Sequence, residues 1–305
     1  MRIALCGLGP WGRTFARTLD ELGVLACGVD PSAEARAAAR VALPGLALSG
    51  SFARALAADV DAVVITTPAV THARLTLAAL AAEKHVLCEK PLAMSLVDAR
   101  EVRAGARAVG RIVLVGHVLE YAPATAALRD RIARGAIGAI VAIDAERRQA
   151  PRCGRASGPL WELAVHDVGL VTRTVRAPIE RVVARAHGPA EVEISLDFAG
   201  GIRAELRAGT AASTPRRKTV VRGERGWLEL DELDHALIER DCDGVSVAVP
   251  YAATQPLRLE CEAFLTAIRA GTPPPSDVDM GVDVVRVLDA AASSIALGGA
   301  PMRLC

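Results

Sequence analysis

Short apolar runs alternate with helical patterns along the first 120 residues. The apolar runs predict strands over 2–6, 24–29, 61–66, 86–88 and 111–115. Between them, apolar residues recur at the three- and four-residue spacing of amphipathic helices, over 10–22, 32–41, 51–58, 72–83 and 95–109. A strict alternation of strand and helix is typical of an α/β domain with a doubly wound parallel sheet.

The pattern changes after about residue 120. One more helix is predicted over 123–134, and strands then dominate: 140–145, 181–186, 191–198, 202–207, 219–222, 227–230 and 245–249. Polar and apolar residues alternate strictly within 191–198, which indicates a sheet with one buried and one polar face. Two helices, 256–269 and 280–297, close the chain. We therefore predict a first domain over 1–120 and, over 121–305, an α+β domain with a large, mostly antiparallel sheet.

A glycine-rich turn separates the first strand from the first helix. It reads Gly7-Leu8-Gly9-Pro10-Trp11-Gly12, and G-x-G-x-x-G in this context predicts a dinucleotide site. Gly7 permits the tight turn, Gly9 lets the backbone approach a pyrophosphate, and Gly12 lets helix and strand pack closely. The free N–H groups at the start of the helix then face the phosphates. The first domain is therefore predicted to be a Rossmann domain.

Asp30 closes the second predicted strand, about twenty residues after the fingerprint. A carboxylate in this position is placed to bind both ribose hydroxyls of the adenosine and to repel a 2′-phosphate. The nearest arginine along the chain is Arg36, inside the following helix, and we expect no arginine close enough to offset Asp30. The sequence thus favours NAD over NADP.

Lys90 is one of only three lysines among 36 basic residues; the others are Lys84 and Lys218. Arginine keeps its proton at physiological pH, whereas a buried lysine can exchange one. Lys90 lies in Glu89-Lys90-Pro91, directly after the strand 86–88, and ligands lie at the carboxyl ends of strands in open parallel sheets. We interpret Lys90 as a catalytic cation, with a surface lysine beside a glutamate as the alternative.

Further candidates follow neighbouring strands at the same edge. Thr66, Thr67 and Pro68 end the strand 61–66, and His72 begins the next helix. We predict that they contact the cofactor, together with Pro10, Trp11, Glu89 and Lys90, although His72 bonding to local backbone is equally well supported. His117 ends the strand 111–115, a few residues before Tyr121. Both are predicted to reach the substrate cleft, with a locally satisfied histidine as the alternative for His117.

One helix interrupts the strands of the second domain. Its predicted start is Ser157-Gly158-Pro159, since proline is tolerated in the first turn. Glu162 and His166 follow at a four-residue spacing, which places them on one face, and Asp167 is adjacent. A histidine exchanges a proton near neutral pH, and an acidic neighbour can orient it. The alternative is a surface Glu–His pair near a helix amino terminus.

The bulk composition excludes several other classes. A net charge of +1 gives no electrostatic case for nucleic acid or a membrane surface. No apolar segment approaches the roughly twenty residues of a membrane span, and the first strand begins too early to leave room for a signal peptide. The seven cysteines include no C-x-x-C and no histidine at metal-ligand spacing. We expect a cytoplasmic protein with no structural metal.

These motifs together resemble the glucose–fructose oxidoreductase, inositol dehydrogenase and rhizopine catabolism (Gfo/Idh/MocA) family. The resemblance covers nearly the whole chain: the fingerprint, Thr67-Pro68-x-x-x-His72, Glu89-Lys90-Pro91, Gly116-His117 through Tyr121-x-Pro123, Gly135-x-x-Gly138, the Glu162–His166 helix and Leu259-Glu260-Cys261-Glu262-x-Phe264. Gly-x-Trp-Gly and the segment 160–167 are most similar to a branch that handles nucleotide sugars.

The resemblance implies hydride transfer between nicotinamide and a carbinol carbon. It implies that Lys90 contacts the reacting oxygen and the nicotinamide ribose, and that His166 donates or accepts the proton. This fits the chemistry, because oxidation of an alcohol needs a base for the hydroxyl proton and a cation for the developing alkoxide. Arg147 and Trp161 are predicted to join His117 and Tyr121 at the substrate.

Two residues depart from the family pattern. Glu162 stands where the family usually has aspartate, so the side chain is one methylene longer. Gly169 stands where an aspartate often follows the histidine by three residues. These departures place the contact made by Glu162 in question.

The prediction is therefore an NAD-dependent oxidoreductase acting on a sugar, cyclitol or nucleotide sugar, with its site between the two domains. Family members usually pair sheet to sheet, which implies a homodimer or homotetramer associated through the carboxy-terminal sheet. A reductase of an imine or enone is one alternative, and a non-catalytic dinucleotide-binding redox sensor is another. Lys90 together with His166 favours the enzyme, because a sensor needs no proton-transfer pair.

Overall fold

The computed structural model describes residues 1–57, 59–151 and 157–304. The chain divides into two compact units. One comprises Met1–Val118 with Gln255–Val285, and the other comprises Leu119–Thr254 with Arg286–Cys305. Among the described residues, no helix is both long and apolar enough to cross a bilayer.

The first unit contains a parallel sheet of six strands in the order β3-β2-β1-β4-β5-β6. The strands are β1 Ile3–Cys6, β2 Leu25–Val29, β3 Ala47–Ser49, β4 Ala62–Ile65, β5 His85–Glu89 and β6 Val113–Gly116. The helices are α1 Pro10–Glu21, α2 Ala33–Ala42, α3 Phe52–Ala57, α4 His72–Ala81 and α5 Leu96–Val109. Every residue of β1, β4 and β6 is buried, as in parallel strands covered on both faces. The predicted doubly wound sheet is confirmed, and the pattern missed only the short edge strand β3.

The second unit contains a sheet of nine strands in the order β14-β13-β12-β11-β7-β10-β9-β8-β15. Its strands are β7 Ile140–Arg148, β8 Ile179–Ala186, β9 Glu191–Phe198, β10 Arg203–Gly209, β11 Arg216–Gly223, β12 Gly226–Asp231, β13 Ala236–Asp241, β14 Ser246–Ala248 and β15 Met302–Arg303. Strands β7 and β10 pair in parallel, and the other described pairings are antiparallel. The predicted, mostly antiparallel sheet is confirmed. Strands β13 and β15 were missed, because β13 carries charges without strict alternation and β15 has two residues.

The two faces of this sheet differ in chemistry. One face is apolar, with alternate residues of β9 buried, and it packs against α6 (Pro123–Ala133) and α7 (Val165–Val175). The other, which we call the open face, carries ion pairs between neighbouring strands: Arg181 and Arg203 with Asp197, Arg222 with Asp144, Arg216 with Glu146, and Lys218 with Glu229. The face that we predicted to associate is therefore charged.

Two further helices, α8 Pro256–Ala270 and α9 Val278–Ala296, follow the nine-stranded sheet. Within the first unit, α8 packs against α1. Ser276 ties the segment between the helices to β6, since its Oγ donates to Val115 O at 2.7 Å and its carbonyl accepts from Val115 N at 2.8 Å. Residues 255–285 thus return to the first unit. The prediction of one contiguous domain over 121–305 did not include this return, because the apolar pattern of a helix does not indicate which sheet the helix packs against.

Candidate active site

The glycine-rich loop of the first unit interlocks with the end of β4. Gly7 has a left-handed backbone, with φ +99°, and its carbonyl accepts from Thr66 Oγ1 at 2.8 Å. A Cβ on Gly12 would lie 2.0 Å from Gly7 O, so only glycine fits there. The position of a Cβ on Gly9, by contrast, has no atom within 4 Å. Gly9 directly precedes α1, which begins at Pro10. The loop therefore presents open backbone at the start of a helix, which suits a pyrophosphate.

Asp30 braces this loop from the end of β2. Its Oδ2 accepts from Leu8 N at 2.8 Å, and its Oδ1 accepts from Ser32 N at 2.8 Å. Arg36 lies directly beside it, because its guanidinium donates to Asp30 O at 2.7 Å and to Pro31 O at 2.9 Å. The expectation that no arginine is close to Asp30 is therefore wrong. The first turns of α2 bring Arg36 back over the residues that precede the helix.

Glu89 joins the glycine-rich loop to the Glu-Lys-Pro turn. Its Oε1 accepts from Trp11 Nε1 at 2.5 Å, and its Oε2 accepts from Lys90 N at 3.1 Å. The carboxyl packs on Gly116, where an added Cβ would lie 3.0 Å from Glu89 Cδ. Burial raises the pKa of Glu89, while the positive charge of Lys90 lowers it. Glu89 and Trp11, both predicted cofactor contacts, thus contact each other and position the turn that carries Lys90.

His72 joins the same turn to the end of β4. The ring is buried, with Nδ1 2.7 Å from Pro91 O and Nε2 2.8 Å from Thr67 O. Burial lowers the pKa of this imidazole. Both ring nitrogens are thus occupied by backbone carbonyls, which is the alternative that the sequence left open. His72 thus supports the residues of the site, and its contact with the cofactor stays a prediction.

His117 lies at the end of β6, close enough to Lys90 to interact with its charge. Burial, helped by the charge of Lys90, lowers the pKa of His117 to about 3, so that the ring is neutral near pH 7. Its Nε2 is buried and has no hydrogen-bond partner among the described residues. A neutral imidazole nitrogen beside Lys90 is available to a bound hydroxyl or carbonyl group.

The second unit carries the predicted proton-transfer helix. The helix begins at Gly158, as predicted, but Leu160–Ala164 forms a π-helical turn before α7 begins. The wider turn changes the alignment that an α-helical four-residue spacing would give Glu162 and His166. Trp161 and Glu162 lie within this turn, and His166 follows in the first turn of α7. Single π-helical turns occur frequently at functional sites.

Arg147 on β7 is buried between two carboxylates. Its guanidinium donates to Asp167 Oδ1 from Nη2 at 2.8 Å and from Nε at 3.0 Å, and to Glu232 at 2.5 and 3.0 Å. The Arg147 side chain is only 5% exposed, and that of Asp167 2%. Asp167 was expected to orient its neighbour His166, yet it binds Arg147 instead. Strand β7 extends to Arg148, beyond the predicted end, and this extension places Arg147 against α7.

The remaining candidates have simpler positions. Tyr121 is buried at the end of a 3₁₀ turn, Val118–Tyr121. The preceding residue, Glu120, accepts two bonds from Arg129 at 2.6 and 2.8 Å, a contact that the sequence did not indicate. Residues 152–156, which belong to the arginine-rich segment between Arg147 and Arg155, lie outside the described residues. Within 1–57, 59–151 and 157–304, no cluster of histidine, cysteine and acidic side chains is placed to hold a metal ion.

Comparison with known families decides the assignment. Residues 1–117 match the family described as oxidoreductase family, NAD-binding Rossmann fold, and residues 125–229 match the GFO/IDH/MocA C-terminal domain. The chain belongs to the Gfo/Idh/MocA family. It is accordingly an oxidoreductase with an NAD-binding domain, and the resemblance seen in its motifs is confirmed.

Several family members are similar over most of the chain. An inositol 2-dehydrogenase of Acidothermus cellulolyticus is 34% identical over 262 residues, covering 73% of this chain and 75% of the relative. The UDP-N-acetylglucosamine 3-dehydrogenase of Acidithiobacillus ferrooxidans is 31% identical over 309 residues, covering 95% of each. A solved structure of the latter superposes with a TM-score of 0.88 at 26% identity, covering 97% of this chain and 98% of the other. The named relatives are thus dehydrogenases acting on cyclitols and UDP-sugars.

Proposed function

We propose that this enzyme transfers hydride between the nicotinamide of NAD and a carbinol or keto carbon of a sugar, cyclitol or nucleotide sugar. The observation that carries the proposal is the juxtaposition at the carboxyl ends of β5 and β6. There Lys90, positioned by Glu89 and Trp11, lies near the neutral ring of His117, whose Nε2 has no hydrogen-bond partner in the part of the chain that the structure describes. Lys90 supplies a cation for a developing alkoxide, and the neutral His117 imidazole supplies a hydrogen-bond partner for a neighbouring hydroxyl of the substrate.

Each residue has a defined part in this proposal. Bound NAD supplies the hydride acceptor, or the donor in reduction. Lys90 stabilises the negative charge that develops on the substrate oxygen, and His166 accepts the hydroxyl proton during oxidation. Glu162 orients His166, while Tyr121 and Trp161 contact the substrate. For Arg147 we propose a positioning role in place of the predicted substrate contact, because Asp167 and Glu232 occupy its guanidinium.

A substrate panel tests the proposed function. The purified protein is incubated with NAD and myo-inositol, simple aldoses or UDP-N-acetylglucosamine, and NADH absorbance is followed; the reverse reaction uses the corresponding keto compounds. We expect turnover with at least one sugar-like class. No turnover with any member of the panel, in a protein that binds NADH, would favour the non-catalytic redox sensor. Turnover only with imines or enones, tested in parallel, would favour the imine or enone reductase.

The first prediction concerns the choice between NAD and NADP. We expect NADH to bind more tightly than NADPH, because the Asp30 carboxylate repels a 2′-phosphate. Asp30→Asn should narrow the difference by improving NADPH binding, since it removes the charge and leaves Arg36 at the same position. Fluorescence titration with both cofactors measures this. The double variant Asp30→Asn/Arg36→Ala is the control and should lose the gain; tighter NADPH binding by the unaltered protein would contradict the prediction.

The second prediction concerns the proton acceptor. If His166 is the base, the rate of alcohol oxidation should rise with pH as the imidazole loses its proton, and then level off. His166→Ala should remove this ascending limb, and Glu162→Gln should lower both the apparent pKa of the limb and the maximal rate. Steady-state rates across pH provide the measurement. An unchanged pH profile in His166→Ala would mean that another group accepts the proton, with Lys90 the first candidate and Tyr121 the second.

The third prediction concerns assembly and location. We propose a homodimer or homotetramer that associates through the open face of the nine-stranded sheet. Since this face is charged, association should weaken as salt rises, which light scattering at low and high salt would show. A monomer at micromolar concentration and low salt would refute this assembly.

The described cysteines 6, 27, 88, 242 and 261 are free thiols, which supports the proposed cytoplasmic location.

A further inference from the structure

Glu260 is a buried acid that the proposed reaction does not use. It lies in α8 with no exposed surface, and neither carboxyl oxygen has a hydrogen-bond partner among the described residues. Its helix neighbours Leu257, Cys261 and Phe264 belong to the core. An ionised carboxylate without partners is strongly disfavoured in such a place. Burial and the negative charge of Glu89 raise the pKa of Glu260 well above its ordinary value.

The negative charge of Glu89 acts on the ionisation of Glu260, and we call the two residues the Glu89–Glu260 pair. Two neighbouring buried carboxyls resist ionising together, so the first proton leaves far more easily than the second. Glu89 is the member suited to carry the charge. Its oxygens accept from Trp11 and from the Lys90 backbone, and the charge of Lys90 favours the anion. Glu260 has none of these donors and keeps its proton.

The other groups around the pair leave this charge assignment intact. They come from five elements: Trp11 from α1, His72 from α4, Lys90 and His117 after β5 and β6, and Cys261 and Glu262 from α8. Burial lowers the pKa values of both histidines and raises that of the Cys261 thiol, so His117 and Cys261 are neutral near pH 7. Glu262 is half-exposed and pairs with Arg258 at 2.9 Å. Lys90 and Glu89 are thus the opposed charges at the centre.

We propose that Glu260 is a protonated positioning residue that limits the Glu89–Glu260 pair to a single negative charge. A second negative charge would hold the proton of Lys90 more firmly. By remaining neutral, Glu260 leaves Lys90 able to release and regain a proton during turnover. This last step rests on the charge-stabilising role proposed for Lys90 above and adds proton exchange to it, whereas the protonation of Glu260 depends on neither.

Infrared spectroscopy of the protein without cofactor tests the protonation directly. At pH 7 we expect the carbonyl-stretch band of a protonated, buried carboxyl. Glu260→Gln should remove the band and Glu262→Gln, the matched control on the same helix, should leave it unchanged. Glu260→Met preserves the apolar packing and serves as a second variant if the glutamine variant fails to fold. A band of equal intensity in the unaltered protein and in a folded Glu260 variant would overturn the proposal.

The fluorescence of Trp11 tests the coupling within the pair. Trp11 is one of three tryptophans, so Trp161→Phe/Trp227→Phe leaves it as the only reporter. We expect its emission to change in alkaline solution, when Glu260 finally ionises beside Glu89. Glu260→Gln should abolish that transition and Glu262→Gln should keep it; a transition that persists in Glu260→Gln would overturn the coupling. Neither measurement involves turnover, so failure of the proposed enzyme function would leave both results interpretable.

Discussion

Lys90→Met is expected to abolish turnover while leaving NAD affinity within a few fold. The methionine side chain keeps the length of the lysine stem but removes the cation that stabilises the developing alkoxide. Cofactor binding should survive because we propose that the pyrophosphate binds at the glycine-rich loop, where Gly9 presents open backbone. Stopped-flow detection of NADH formation and a binding titration, made on the same preparation, separate the two effects.

Two further lysine variants make this test specific. Lys90→Arg should also fail, because arginine keeps the charge without being able to exchange a proton. Lys84→Arg is the matched control, since Lys84 donates to the backbone of Val60 at 2.8 Å and an arginine can do the same; its turnover should be unchanged. Complete loss of NAD binding in folded Lys90→Met would mean that Lys90 holds the cofactor and that its catalytic role is misassigned.

The second large effect is expected on stability. Arg147→Met leaves Asp167 and Glu232 in a buried site without their common partner. Removing one member of a buried ion pair typically costs about 3–5 kcal/mol in the free energy of unfolding, and two carboxylates lose their partner here. Urea denaturation at pH 7 measures the difference from the unaltered protein. Arg222→Met, on the open face of the sheet, is the control and should change stability little.

The pH dependence of this loss has a definite sign. In Arg147→Met the buried Asp167 carboxyl loses its main counter-charge, so its folded-state pKa, already raised by burial, lies further above the unfolded one. Stability is then retained below the unfolded pKa and lost as pH rises through the folded one. The deficit of the variant should therefore shrink as the solution is acidified towards pH 4 and widen towards neutrality. A deficit that is constant with pH would show that packing, and not unpaired charge, accounts for it.

Features that depend on residues close together in the chain could be predicted from the sequence. The parallel sheet, the glycine-rich loop and the helix that begins at Gly158 each depend on spacing within a short segment. The capping of α2 by Ser32, which accepts from Ala35 N at 3.2 Å, and of α5 by Ser95, which accepts from Asp98 N at 3.1 Å, is likewise local. Such features place Lys90 and Asp30 at the correct edge of the sheet.

Features that depend on distant partners could not be predicted. The bond from Trp11 to Glu89 joins residues 78 positions apart, and Arg147 meets Glu232 across 85 positions. No spacing rule distinguishes a substrate-binding arginine from one that holds two carboxylates. The same limit applies to Glu260. In the sequence it is one of several charged residues in a predicted helix, and only the fold shows that it is buried beside Glu89.

The interlocked glycine-rich loop sets where the cofactor preference of this enzyme can change during evolution. A side chain on Gly12 would collide with Gly7 O, and one on Gly7 would collide with Thr66. Gly7 and Gly12 are thus closed to gradual mutation, because any side chain at either position disrupts the fold of the loop. Asp30 and Arg36 are less restricted, since a replacement for Asp30 needs only to keep an acceptor for Leu8 N. Adaptation to another dinucleotide, in nature or by design, has to begin there and can leave the loop untouched.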